Sequence, residues 1–173
     1  HFKGKERIDG NLCFYLHDYY PVSHHKDISV HQKKVSNLVF RFKEGKQAAL
    51  VAKLFSLAIM HMPFFKDLEN PILIPIPAST KQRNQDRFGQ FTYLLAKRLK
   101  IEDGFRATWI EEDREQLKGN LNTDKLANLT FHSQYIKNRN ILLIDDILTT
   151  GESLFQMTTS YLTQKLEKKN RMY

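Results

Sequence analysis

Apolar residues recur along this chain with several distinct spacings. Val35, Leu38, Val39 and Phe42 repeat every three or four positions, which predicts a helix over Val30–Lys43. Gly45 interrupts the pattern. Ala48, Val51, Leu54, Phe55, Ala58 and Met62 then trace the apolar face of a second helix, which ends by Pro63. Residues 72–76 read as a strand, and residues 141–144 are an unbroken apolar run, as expected of a strand buried on both faces of a parallel sheet. Prolines 71, 75 and 77 confine the first run to a strand end or a sheet edge. Phe88, Phe91, Leu95 and Leu99 predict a helix after it, and Leu154, Met157, Tyr161 and Leu166 one after the second run.

The remaining pattern is weaker. Residues 12–20 alternate in part and are aromatic, which suggests a strand leading to Pro21, and residues 105–110 suggest another. Residues 1–11 are polar and read as loose. Residues 111–129 are highly charged with little periodicity and contain Gly119 and three asparagines, so they read as a mobile loop with a short helix near Asp124. Loops of this length are commonly lids, and a solvated connection is the plain alternative.

Strands separated by helical stretches make this an α/β chain with a mostly parallel central sheet flanked by helices. Its 173 residues suit a single globular domain, with residues 1–29 as an amino-terminal strand and loop segment and 30–173 as the body. The net charge of +8 favours anionic partners, among them phosphorylated metabolites, pyrophosphate and nucleic acid. The basic residues are spread along the chain, so charge alone does not choose among these. Cys13 is the only cysteine, which excludes an internal disulfide and fits a reducing, cytoplasmic setting. No stretch is long and apolar enough for a membrane span, and the polar amino end lacks the apolar centre of a signal peptide. The chain opens on His1, as expected of a trimmed or partial sequence. His24, His25 and His31 match no metal-ligand spacing and read as solvated.

The chemistry concentrates where the run 141–144 meets Asp145-Asp146-Ile147-Leu148-Thr149-Thr150-Gly151-Glu152-Ser153. Ligands of open α/β sheets bind outside the carboxyl ends of strands, where Asp145 and Asp146 are expected. Adjacent carboxylates accept hydrogen bonds from the vicinal hydroxyls of a sugar. They also suit Mg²⁺, which keeps waters and takes one or two protein carboxylates. Thr149, Thr150 and Ser153 offer hydroxyl donors, Gly151 permits close backbone approach, and the following helix start favours an anion. One ligand carries both groups: a ribose 5-phosphate. The run lacks the Gly-Lys-Ser/Thr ending of a Walker loop. A phosphorelay receiver carries its acid pair near the amino end, not here. A solvated turn after a core strand is the bland alternative.

A second site candidate follows residues 72–76. Ala78 and Ser79 are small, Ser79 or Thr80 is placed to cap the next helix, and Lys81, Arg83 and Arg87 lie close by. Small residues at a helix start with nearby cations suit a pyrophosphate.

Residues 141–153 resemble the phosphoribosyl pyrophosphate (PRPP) signature of type I phosphoribosyltransferases. The resemblance implies that family's fold, with a mobile hood loop. It implies that Asp145 and Asp146 contact the ribose hydroxyls. It also implies that Thr149, Thr150, Gly151 and Ser153 hold the 5-phosphate, with Glu152 lending its backbone. Three further regions are similar to the ComF-like branch associated with DNA uptake in competent bacteria. They are Phe40-Arg41-Phe42-Lys43-Glu44-Gly45, then Ile74-Pro75-Ile76-Pro77 with Arg87-Phe88-Gly89-Gln90, and the spaced polar residues Gln116, Lys125 and Asn128. The chain departs from that branch by the order of Phe88 and Gly89, by Lys125 in place of arginine, and by lacking a cysteine-rich zinc ribbon. The expected function is a Mg²⁺-dependent phosphoribosyltransferase. The alternative is a non-catalytic module that senses PRPP or a nucleotide, or binds DNA. A homodimer is compatible with either.

Overall fold

A computed structural model of the protein describes residues 1–8, 10–20, 28–113, 128–147 and 153–160. The segment expected to be loose contains a strand instead. β1 (Gly4–Ile8) pairs antiparallel with β2 (Asn11–Tyr15), so the polar residues 4–8 satisfy their backbone groups through the aromatic strand beside them. α1 (Val30–Lys43) begins at a capping box. The Ser29 hydroxyl accepts from the Gln32 amide, and the Gln32 side chain accepts from the Ser29 amide. α2 (Ala48–Met60) ends short of Pro63, and of its predicted face only Leu54 stays exposed.

β3 (Pro71–Pro75) is followed by one continuous helical stretch in three parts: α3 (Lys81–Asn84), a π segment (Gln85–Gly89) and α4 (Gln90–Leu99). Thr80 caps its start by accepting from the Arg83 amide. Next come β4 (Glu102–Asp103), a 3₁₀ turn (Phe105–Ala107) and β5 (Thr108–Ile110). The strand expected over 105–110 is thus half turn, because Gly104 bends the chain tightly against Leu73. β6 (Leu129–Phe131) returns antiparallel to β5, and β7 (Asn140–Ile144) precedes a helix over residues 153–160 (α5).

The organising unit is a three-stranded parallel sheet in the order β4-β3-β7. β3 is central, and the prolines that bound it stand at its two ends, where a missing ladder donor costs least. Both faces are covered, which explains the unbroken apolar runs. Leu73, Leu142 and Ile144 face one core with Phe42, Val51, Phe88, Phe91 and Leu95. Ile72, Ile74, Ile141 and Leu143 face a second core with Ala107, Ile136 and Met157. The fold is therefore mixed α/β with one parallel sheet. No helix among the described residues is long and apolar enough to cross a membrane.

The turn between α1 and α2 presses on the π segment. Gly45 has φ +77°, and a Cβ there would lie 2.9 Å from the Asp86 carbonyl oxygen. Gly45→Ala is expected to cost about 1–3 kcal/mol, since it combines left-handed backbone with a clash against main chain. Urea denaturation checks this: an unchanged midpoint would mean that the two elements do not meet so closely.

Candidate functional site

β3 and β7 run parallel in register, Pro75 opposite Ile144, so their carboxyl ends lie side by side. The Ile76 amide donates to the Ile144 carbonyl at 2.8 Å and carries the pairing one residue further. The Asp145-Asp146 pair and the Ala78-Ser79 turn, far apart in the chain, therefore leave the same edge of the sheet.

The Asp146 side chain is only 6% exposed. Arg87 Nη1 lies 2.8 Å from its Oδ2, and Lys43 Nζ lies 3.9 Å from the same atom. The contact is an ion pair of poor hydrogen-bond alignment: Asp146 Oδ2 and Arg87 Nε are both buried with no hydrogen-bond partner among the described residues. Asp145 Oδ1 accepts from the Asp146 amide at 2.8 Å. Burial, and then the neighbouring Asp146 charge, push the Asp145 carboxyl up to about 7; the Asp146 amide, Arg87 and Lys43 pull it back only in part.

Two matching dipeptides deliver the cations. Phe42 and Phe88 are buried ring to ring, with centroids 5.9 Å apart, and Phe91 packs on Phe42 at 5.0 Å. Lys43 follows the first ring in sequence and Arg87 precedes the second, so anchoring the rings aims both cations at Asp146. Arg87 also sits in the π segment, a rare local geometry that recurs at functional sites.

The second candidate cluster divides. The Ala78 amide donates to Asn84 Oδ1 at 3.0 Å, and the Ser79 hydroxyl accepts from Arg83 Nη1 at 3.2 Å. The Lys81 amide donates to Asp113 Oδ1 at 2.8 Å, and its ammonium lies 5.9 Å from the centroid of the exposed Trp109 ring. Of the three cations grouped by sequence, Arg87 joins the acid pair while Lys81 and Arg83 engage the β3–α3 turn and β5. Lys43 takes their place beside Asp146. Sequence reasoning gives Lys43 no role in the site; its place in the Phe40–Gly45 segment that resembles the ComF-like branch is the signal that could have singled it out.

Thr149, Thr150, Gly151 and Glu152 lie outside the described residues, as do His24, His25, Gln116, Lys125, Tyr161 and Leu166. Ser153 is half-buried at the start of α5. Most of the expected hood loop is likewise outside them, but its two ends are described. Glu111 N–H donates to the Asn128 carbonyl, and Asn128 Nδ2 donates to the Glu112 carbonyl, so the loop leaves and returns at one point. Asp113, at that point, caps the Lys81 amide and ties the loop's stem to the β3–α3 turn.

The acid pair borders a cavity of about 1220 Å³ between the β1–β2 hairpin, α1, α2 and β7, with largely apolar walls such as Phe14, Phe42, Phe91 and Leu142. For a metal, no group of three or more His, Cys, Asp or Glu side chains gathers among the described residues. Mg²⁺ bound through one or two carboxylates together with water and ligand oxygens does fit, and Asp146 Oδ2, ion-paired but without a hydrogen-bond partner among the described residues, is an oxygen ligand of the right kind.

The elevated Asp145 carboxyl has a consequence for stability. Between about pH 4 and pH 7 the unfolded chain releases this proton while the folded protein keeps it, so folding loses stability as pH rises through that window. Asp145→Asn removes the titration. The variant is expected to unfold at a higher temperature than wild type at pH 8, with the gap closing towards pH 4. Thermal melts across that range test this, and parallel curves for the two proteins would refute the burial argument.

No family model matches this chain, nor does any curated protein or solved structure.

Proposed function

We propose that the protein is a phosphoribosyltransferase-like protein that binds PRPP, or another ligand containing a ribose 5-phosphate, together with Mg²⁺. The observation that supports this best is the meeting at one sheet edge of adjacent carboxylates, Asp145 and Asp146, with two cations from different helices, Lys43 and Arg87. A sugar diol calls for the first pair and a phosphorylated leaving group for the second. In this reading Asp145 and Asp146 accept hydrogen bonds from the ribose hydroxyls. Thr149, Thr150, Gly151, Glu152 and Ser153 hold the 5-phosphate.

As a transferase, the site would act by positioning and charge. Pyrophosphate departs from C1 of the ribose as a nitrogen nucleophile arrives, through an oxocarbenium-like transition state. Arg87 and Lys43 would spread the negative charge of the leaving group, and Mg²⁺, when bound, supplies further neutralisation at the phosphates. The loop rooted at Glu111 and Asn128 would exclude water from the ribosyl centre. A role in DNA uptake is the setting that the ComF-like segments suggest, and the net charge of +8 is compatible with it.

Titration calorimetry with PRPP and Mg²⁺ tests the reading. At pH 8, where the Asp145 carboxyl is ionised, loss of a charged acceptor costs about 1.5–3 kcal/mol, so Asp145→Asn is expected to bind roughly ten- to a hundredfold more weakly. Equal affinities, or no heat with wild type, would sink it. An acceptor screen for released pyrophosphate then separates a transferase from a sensor that binds without turnover.

A further inference from the structure

The ion pair at Asp146 is unusual in being buried yet poorly made. Arg87 Nη1 touches Oδ2 at 2.8 Å, but the same oxygen and Arg87 Nε retain hydrogen-bonding capacity that nothing among the described residues meets. Lys43 stands off at 3.9 Å with its side chain 38% exposed, against 15% for Arg87. One carboxylate thus faces two cations and satisfies neither fully. The backbone that carries the cations is anchored by the packed Phe42 and Phe88 rings and by the Gly45 turn seated on Asp86.

We propose that Lys43 and Arg87 form an anion seat which Asp146 fills in the ligand-free protein and yields to a pyrophosphate-type anion. A pyrophosphate presents several oxygens. It can take the planar fork of Arg87 on two of them and the point charge of Lys43 on another, where the single Oδ2 can serve only in part. Release of Asp146 from the cations then frees its carboxylate for a second partner, a sugar hydroxyl or a hydrated cation. Occupation of the seat and readiness of the acid pair are in this way coupled: the anion that displaces Asp146 prepares it to bind the rest of the ligand. Lys81 and Arg83 lie outside the seat. The choice of pyrophosphate as the anion rests on the ribose-phosphate reading above, whereas the seat itself rests on the geometry at Asp146.

The test is calorimetry in metal-free buffer with inorganic pyrophosphate and, separately, ribose 5-phosphate. The proteins compared are wild type, Lys43→Gln, Asp146→Asn and Lys81→Gln/Arg83→Gln, each checked for folding by its thermal melt. Lys43→Gln is expected to weaken pyrophosphate binding about tenfold and leave ribose 5-phosphate within about twofold. Asp146→Asn is expected to act with opposite signs on the two ligands: about fivefold tighter pyrophosphate, because the internal competitor has lost its charge, and weaker ribose 5-phosphate. Pyrophosphate affinity that is unchanged or lower in Asp146→Asn, unaffected by Lys43→Gln, or lost only in Lys81→Gln/Arg83→Gln overturns the seat. Absence of pyrophosphate binding to every protein does the same. Lys43→Gln alters a half-exposed side chain and decides the matter even if Asp146→Asn does not fold. If pyrophosphate follows the expected pattern while ribose 5-phosphate binds nowhere, the seat stands and the ribose reading falls. The reverse result separates them the other way.

Discussion

Two carboxylates side by side at the end of a buried strand repel one another and lose hydration, and the site exists because Lys43 and Arg87 offset that cost at Asp146. Removing one partner of a buried ion pair typically costs about 3–5 kcal/mol, a large share of the stability of a domain this size. The compensation is uneven. Asp146 is held by both cations, and Asp145 is left to burial and to its neighbour's charge, with its carboxyl raised towards neutrality. Such tension is common where a protein keeps groups ready for a ligand, since the arrangement that best receives the ligand is seldom the most stable without it.

The surrounding fold holds this arrangement in place. Parallel pairing of β3 and β7 brings their carboxyl ends to one edge, and apolar cores on both faces keep that register. The Phe42–Phe88–Phe91 cluster joins α1 to the helical stretch that carries Arg87. Asn128 closes the stem of the long β5–β6 connection on Glu112, and Asp113 ties that stem to the turn beyond β3. The acid pair thus meets cations carried by two different helical stretches.

Where the sequence and the structure diverge, the cause is pairing with distant residues. Residues 4–8 have no apolar alternation of their own, so nothing local marks β1; its order comes from β2. Residues 105–107 have strand-like composition, yet Gly104 packs on the Leu73 backbone and turns them. Leu54 completes an apolar face by spacing but stays exposed, because helical period marks a face and not its depth of burial. Lys81, Arg83 and Arg87 look alike in sequence, and a helix sends them to different neighbours.

By itself the sequence determined what is written in local periodicity and residue chemistry. It set the bounds of α1, marked β3 and β7 as strands, the second as buried by its unbroken apolar run, and placed the Asp145-Asp146 pair directly after β7. Only the tertiary structure decided which charges meet. Electrostatic contacts depend on distance through space, and Lys43, Arg87 and Asp146 come together through a sheet register and three packed aromatic rings that no single stretch of the chain contains.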